Sequence, residues 1–424
     1  MGLRTRIRPV QACLVLLLLA GGAVLFTQLA LEVIATPGVA GHHDFLAFHA
    51  AAQLVSGGTA AGHLYDAASI TAIERHVIAA PVGAAGYMPY LTPPFGAAIQ
   101  APLGLLSEPV ARVIWLLVNI PLALLCGWLA TADLPWRTRV LATACLAGTF
   151  PFFQAFVEGQ WSFVMLAGCL GAVLAARSHR PAWAGLGLAV LALKPPLLIP
   201  VLVVLLCMRA WRTLATCLAA VSLVFVVTLP LVGWSTELEY AGFLVAVVGS
   251  HLDGAGAAGA AAWHGGISGM EAVNGLVAGY VGQQNVAVLD VLTVAGVAAV
   301  VARWVWIAWH VRPTVHDPRG RWVVVAGIAA AMLTDLHLYP QDCVLLLVAL
   351  PLLTTSVTAE WRLPVVLGVA VFLDAAWLDQ LPVTPHVFTW LLAGAFLWAC
   401  AKAMRAGAPA GHTIHSRATV SAHP

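Results

Sequence analysis

Apolar residues occupy every helical face over long stretches of this chain, interrupted by short polar loops. Such runs lie at about 10–33, 110–131, 140–157, 160–176, 212–233, 286–309, 322–336, 341–357, 363–380 and 384–401. A helix needs roughly 20 apolar residues to cross the hydrocarbon core of a bilayer. A helix that is apolar all round belongs in a membrane or a large core, not on a wet surface. Two further pieces, 182–193 and 196–208, are each too short to cross alone. Joined at Lys194-Pro195-Pro196, they predict a hairpin that enters the membrane and returns to its own side. The segment 91–106 is expected to lie at an interface or to re-enter. The pattern therefore predicts an all-α polytopic membrane bundle of about 10–12 transmembrane segments, with interfacial helices on its outer face. The first run, from about Val10 to Ile34, is longer than the apolar core of a signal peptide, so a retained anchor is expected.

Composition narrows the class further. Of 424 residues, 61% are hydrophobic and 9% charged, whereas soluble domains carry about a quarter charged residues. The net charge of +2 is scattered through short loops, which gives no footprint for nucleic acid. The cysteines at 13, 126, 145, 169, 207, 217, 343 and 400 all fall inside apolar stretches without metal-ligand spacing and read as small core residues.

Charge also sets the expected orientation. With the N-terminus inside, Arg4, Arg6, Arg8, Arg137, Arg139, Arg177, Arg180, Arg209, Arg212, Arg312, Arg319, Arg321, Arg362, Lys402 and Arg405 all fall on the cytoplasmic side. Only Arg75 is left outside, and both termini are expected in the cytoplasm of a cell that keeps this protein in its inner, or plasma, membrane. Asp44, Asp66, Glu74, Glu158, Glu237, Glu239, Asp253, Glu271, Asp335, Asp342 and Asp379 gather outside or at the outer membrane edge, which is where chemistry is expected. Organisation follows the same map. An N-terminal membrane module, 1–208, carries a long first outer loop at 34–109. A C-terminal module, 209–405, carries a second at 234–285, and 406–424 form a cytoplasmic tail.

Loops this long inside a compact chain tend to be functional. In the first, Asp44-Phe-Leu-Ala-Phe-His and the residues up to Gly57-Gly58 predict a short interfacial helix, with Phe45, Phe48, Ala52 and Val55 at helical spacing. Asp44 is placed either to cap that helix or to act as a general base at the membrane edge. Further on come Leu64-Tyr65-Asp66, then Tyr87-Met-Pro-Tyr90-Leu-Thr-Pro93-Pro94-Phe95, then Glu158-Gly159-Gln160. Lys194 follows at the hairpin apex, and His337-Leu-Tyr339-Pro-Gln-Asp342 precede an apolar span. The second loop holds Trp263-His264 beside a Gly/Ala-rich stretch and reads as a substrate flap.

These motifs, in this order, resemble family 87 of the GT-C glycosyltransferases, over about residues 1–357. Thr334-Asp335-Leu336-His337 departs from the Ser-Pro that usually precedes the third motif. The resemblance implies a GT-C helical membrane bundle with an outward-facing cavity and a first-loop acid, here Asp44, as catalytic base. It further implies a polyprenyl-phosphate-sugar donor, mannose first, and a glycan or glycolipid acceptor.

Transfer from such a donor needs a base for the acceptor hydroxyl and positive charge or hydrogen-bond donors for the leaving phosphate. Lys194 and His337 are the candidates for the phosphate; snorkelling to a headgroup is the alternative for Lys194, and a lysine inside a membrane segment is a functional hypothesis by default. Tyr65, Asp66, Tyr90, Glu158, Gln160, Tyr339, Asp342 and His264 are the candidates for substrate contacts. Caps, turns and interhelical networks are their structural alternatives. No Walker-type glycine loop, zinc spacing or Asp-x-Asp occurs, so no cofactor is expected and a divalent metal is not indicated. The rival reading, a transporter or lipid-linked sugar flippase, calls for a second broken hairpin in the other half of the chain, and none is evident.

Overall fold

The structure, a computed structural model, describes residues 8–35, 44–77, 88, 90–253, 270–281, 285–311, 315–380 and 386–405. Among them every regular element is a helix. Each of the ten predicted spans coincides with a helix or helix pair, but they differ in kind. Six helices are long and apolar enough to cross a bilayer, or seven if one bent pair counts as a span. The six include α1 (Pro9–Ala35), α5 (Glu108–Ala130), α11 (Trp211–Val232) and α14 (Val286–Val311). The bent pair is α6 (Trp136–Ala147) with α7 (Phe150–Val157), at 60°.

Lipid-facing and core-facing surfaces are distinct. Leu16, Leu17, Val24 and Leu31 of α1, and Leu223, Val226 and Val227 of α11, are exposed apolar side chains, as a bilayer requires. The core lies around the shorter helix α8 (Ser162–Arg177), whose Phe163, Leu166 and Leu170 are fully buried. Cys126, Cys145, Cys169, Cys217, Cys343 and Cys400 are buried too, whereas Cys13 is exposed on α1.

Proline and glycine punctuate the elements that shape the site. α9 (Pro181–Leu188) runs on as a 3-10 helix (Ala189–Leu193) to Lys194, where φ −136°, ψ 81° break the helix. The residue before a proline is driven out of the helical region, and two prolines at a helix start lose no needed N–H. So α10 (Pro195–Cys207) begins there and turns back, returning the chain so that Thr213 and Cys217 of α11 lie against Gly185 of α9. At 1.5–2.0 Å per residue each arm rises about 20 Å, short of a hydrocarbon core of about 30 Å.

The expected interfacial helix forms as α2 (Phe45–Ser56), but it is not half wet. Phe45 to Ala52, Leu54 and Val55 are all buried, because α4 (Pro94–Gly104) packs along it so closely that a Cβ on Gly104 would stand 2.4 Å from the Ala52 backbone. α11 packs on α9 and α4, and α10 packs on α15 (Pro318–Thr334).

Candidate active site

Three residues that stand ahead of prolines meet around one cavity. Thr92, Lys194 and Tyr339 each precede a proline, and all three line a cavity of about 420 Å³. Its wall also takes in Asp44, Gln160, Trp161, Asp335, His337 and Asp342, at the N-terminal end of α8. Tyr240, Phe243 and Leu244 of α12 (Trp234–Asp253) and Val297 and Val301 of α14 supply an aromatic and apolar side.

Asp44 stands at the start of α2 and makes no side-chain cap there. Glu158 does that work instead: its carboxylate accepts the Asp44 N–H at 3.3 Å, and its carbonyl accepts the Phe45 N–H at 2.9 Å. The Asp44 carboxylate is thereby left on the cavity wall, where the Gln160 side-chain amide donates to it. The turn between Glu158 and Gln160 depends on Gly159, which has φ +64° and packs so near that an added Cβ would lie 2.7 Å from the Phe45 Cβ. Trp115 Nε1 fixes the same turn by donating to the Gly159 carbonyl at 2.6 Å.

Across the cavity wall Lys194 is held by three acceptors. Its Nζ lies 2.6 Å from Asp342 Oδ2, 2.9 Å from Asp335 Oδ2 and 2.8 Å from the His337 carbonyl. Asp335 is fully buried and the Asp342 side chain is 5% exposed, so the carboxylates have little but this ammonium to balance them. Next to them, burial and the Asp44 carboxylate push the Tyr339 phenol above its ordinary value, which keeps it a neutral hydrogen-bond donor. The His337 ring packs edge-on against Tyr339, with centroids 4.9 Å apart.

The predicted residues separate into groups. Asp44, Gln160, Lys194, His337, Tyr339 and Asp342 come together on the cavity wall, and Glu158 stands directly behind Asp44. Tyr65 and Tyr90 stand behind the wall. Their hydroxyls donate to the Thr92 and Pro93 carbonyls at 2.9 and 3.1 Å and so hold the Thr92 edge in place. Tyr65 also packs on Tyr240 and Phe243, with both ring pairs 5.3 Å apart, which ties the first long loop to α12. Asp66 is exposed and accepts from Ser69 N and Oγ at 2.9 and 2.7 Å in the first turn of α3 (Ala67–Val77). Those bonds hold its carboxyl below the usual range. His264 lies outside the described residues.

Among the described residues no three His, Cys, Asp or Glu side chains converge as metal ligands. The sequence profile of glycosyltransferase family 87 matches residues 90–335, more than half of the chain. The chain belongs to glycosyltransferase family 87. It is therefore a membrane glycosyltransferase, and the match covers Glu158, Gln160 and Lys194 directly. Asp44 and the 337–342 turn lie outside the matched stretch and join it through the fold. No curated protein and no solved structure matches the glycosyltransferase.

Sequence reasoning passed over several wall residues of this glycosyltransferase, among them Trp161, Asp335 and Tyr240. Asp335 carried a usable signal, since a lysine in an apolar hairpin requires an acidic partner from another apolar segment. Tyr240 and Trp161 carried none, because an aromatic residue near a membrane edge is ordinary.

Proposed function

We propose that this family 87 enzyme transfers a sugar, mannose first, from a polyprenyl-phosphate donor to a lipid-linked or glycan acceptor, with inversion at the anomeric carbon. The observation that carries this reading is the division of labour at the start of α2. Glu158 accepts the helix N–H groups, so the Asp44 carboxylate faces the cavity rather than capping. A carboxylate so placed can take the proton of an acceptor hydroxyl as its oxygen attacks the anomeric carbon. The bond from that carbon to the phosphate oxygen breaks on the opposite face, and its electron pair leaves with the polyprenyl phosphate. His337 and the neutral Tyr339 hydroxyl are the groups on the wall suited to hydrogen-bond the departing phosphate. Ile199, Leu244, Val297 and Val301 suit the first isoprene units of the donor. The mixture of a mostly apolar wall with a few convergent polar groups is what a small-ligand site requires.

The reaction belongs on the outer face of the plasma membrane. Arg177 ends α8, and the cavity lies at the other end of that helix, about 24 Å away at 1.5 Å per residue. Arg137, Arg180, Arg212 and Arg362 adjoin exposed Trp136, Trp183, Trp211 and Trp361, a basic and aromatic border of the kind found at a cytoplasmic interface.

The test is transfer of label from polyprenyl-phosphate-[14C]mannose to a membrane lipid extract by the purified enzyme in nanodiscs. Asp44→Asn is run beside the wild type at matched folding. Transfer by the wild type alone supports the reading. Transfer by both would move the base elsewhere, and no transfer from mannose or pentose donors would remove the proposed donor class.

A further inference from the structure

Lys194 looks, in sequence, like a cation kept for a phosphate. Its surroundings give it another task. An ammonium has three N–H donors; Asp342 Oδ2 and the His337 carbonyl accept two of them, and Asp335 Oδ2 lies 2.9 Å from Nζ as an ion-pair partner. With one lysine against two aspartates the cluster carries a formal charge of −1. A phosphate reaching for Nζ would have to displace a carboxylate or stand beside two of them, and like charges in a poorly solvated site repel strongly.

The same bonds, with others, account for almost every polar backbone group of the turn from Leu336 to Tyr339. The Leu336 carbonyl accepts from Asn274 Nδ2 at 2.7 Å, the His337 carbonyl from Lys194, and the Leu338 carbonyl from the Glu271 N–H at 2.7 Å. The Tyr339 carbonyl accepts from Asp342 N at 2.9 Å. In return the His337 amide donates to Asp335 Oδ1 at 3.1 Å, Leu338 to the Asp335 carbonyl at 3.2 Å, and Tyr339 to Asp342 Oδ2 at 3.3 Å. Asn274, on α13 (Val273–Val281), and Glu271 just before it are almost wholly buried and line no part of the cavity. So the turn is gripped from the hairpin apex on one side and from the segment 271–274 on the other.

We propose that Lys194, Asp335 and Asn274 are positioning residues that lock the Leu336–Tyr339 turn so that His337 and Tyr339 stand ready at the cavity, and that the Lys194 ammonium does not itself bind the donor phosphate. Catalytic donors act best when they need no rearrangement at the moment of reaction, and a turn with its polar groups satisfied by separate elements meets that requirement. The inference deepens the proposed function by assigning roles at the same site, and rests on that reading for what the turn presents.

Two variants separate a lock from a phosphate grip. Asn274→Leu removes one strut, from a side chain outside the cavity lining, at nearly constant volume. The double variant Lys194→Gln/Asp335→Asn removes the cation but leaves the cluster's formal charge at −1, and the new amide retains two N–H donors. Two readouts are independent of which sugar is transferred: hydrogen–deuterium exchange of the peptide spanning 336–339, and the Kd for polyprenyl monophosphate in nanodiscs. A lock predicts at least tenfold faster exchange in Asn274→Leu, with Kd within threefold of wild type in both variants. In the transfer assay it predicts a kcat about tenfold lower for Asn274→Leu at unchanged donor KM. Unchanged exchange in Asn274→Leu would overturn the proposal, as would a Kd raised thirtyfold or more in the double variant. Should the wild type transfer no sugar from these donors while exchange still quickens in Asn274→Leu, the donor assignment fails and the lock stands.

Discussion

Two ionic clusters sit at opposite ends of α8, built from similar parts and put to different ends. At one end Arg177 meets Asp133 through two contacts of 2.9 and 3.1 Å, Thr354 donates to the same carboxylate at 3.0 Å, and Arg362 donates to the Asp133 carbonyl at 2.8 Å. These side chains are partly open, 26% exposed for Arg177 and 17% for Asp133, and they tie together the ends of α5, α8, α16 (Leu350–Thr354) and α17 (Ala359–Asp374). At the other end Lys194 meets two aspartates that are essentially buried, and the cluster forms part of a cavity wall. The first has two cations for its one carboxylate, and solvent screens them. The second has more acid than base and little water. Such an arrangement is a poor way to gain stability, because desolvating an ion pair offsets most of its attraction. Its retention at the cavity makes sense as geometry: it fixes a turn.

The comparison is broken most sharply at Asp44. If the cavity end is where chemistry occurs, Asp44→Asn lowers kcat by about 10²- to 10⁴-fold. It leaves the thermal midpoint almost unchanged, since Glu158 supplies the cap. Equal activity in the variant would detach the chemistry from this cavity. A smaller loss follows from the turn behind it. Gly159→Ala forces a side chain into φ +64° and against Phe45, which costs about 1–3 kcal/mol in denaturant unfolding and displaces Asp44. A misplacement of that order lowers kcat by up to about 10².

At the far cluster the order of effects reverses. Asp133→Asn costs about 1 kcal/mol of stability and leaves kcat/KM within about twofold, because this screened pair only joins helix ends. A tenfold loss of kcat/KM there would mean that the two ends are coupled. The smallest effect concerns Glu74, a buried carboxyl of α3 that accepts the Met88 N–H at 3.0 Å. Burial pushes it from 4.5 up to about 7, so the fold favours the protonated form. The stability this gives is full below pH 4.5 and is lost as pH rises to about 7. Glu74→Gln should therefore match the wild-type thermal midpoint at pH 4 and exceed it at pH 8. An equal gap at both pH values would show that the carboxyl does not titrate in this window.

Much of the architecture was legible along the chain because a membrane imposes a local rule: apolar length defines a span. The hairpin at 182–208 was legible for the same reason, its arms being too short to cross. The candidate site was legible where a helix break coincided with a polar residue, as at Lys194-Pro195 and Tyr339-Pro340. It was illegible where one side chain had two local explanations. Asp44 and Asp66 both precede helices, where a cap competes with a role in the site. In the fold Asp66 accepts from Ser69 in the first turn of α3, whereas the start of α2 is held by Glu158, whose carbonyl is 2.9 Å from the Phe45 amide and 114 residues further along the chain than Asp44. Tyr65 and Tyr90 show the same limit: nothing along the chain tells that their hydroxyls are used on the Thr92–Pro93 backbone.

By itself, then, the sequence determined that the chain is a helical membrane protein, where its helices break, and which few polar residues must find partners in an apolar setting. Those follow from hydropathy, proline sterics and the high cost of an unpaired charge, all of which act locally. Only the tertiary structure decided who the partners are. That Lys194 is satisfied by Asp335 and Asp342, and that Gln160 reaches Asp44, depends on helices more than a hundred residues apart in sequence packing at one end of α8. Hydrogen bonds and ion pairs act over a few ångströms, and no pattern along a chain specifies which of many buried polar groups will come within that range.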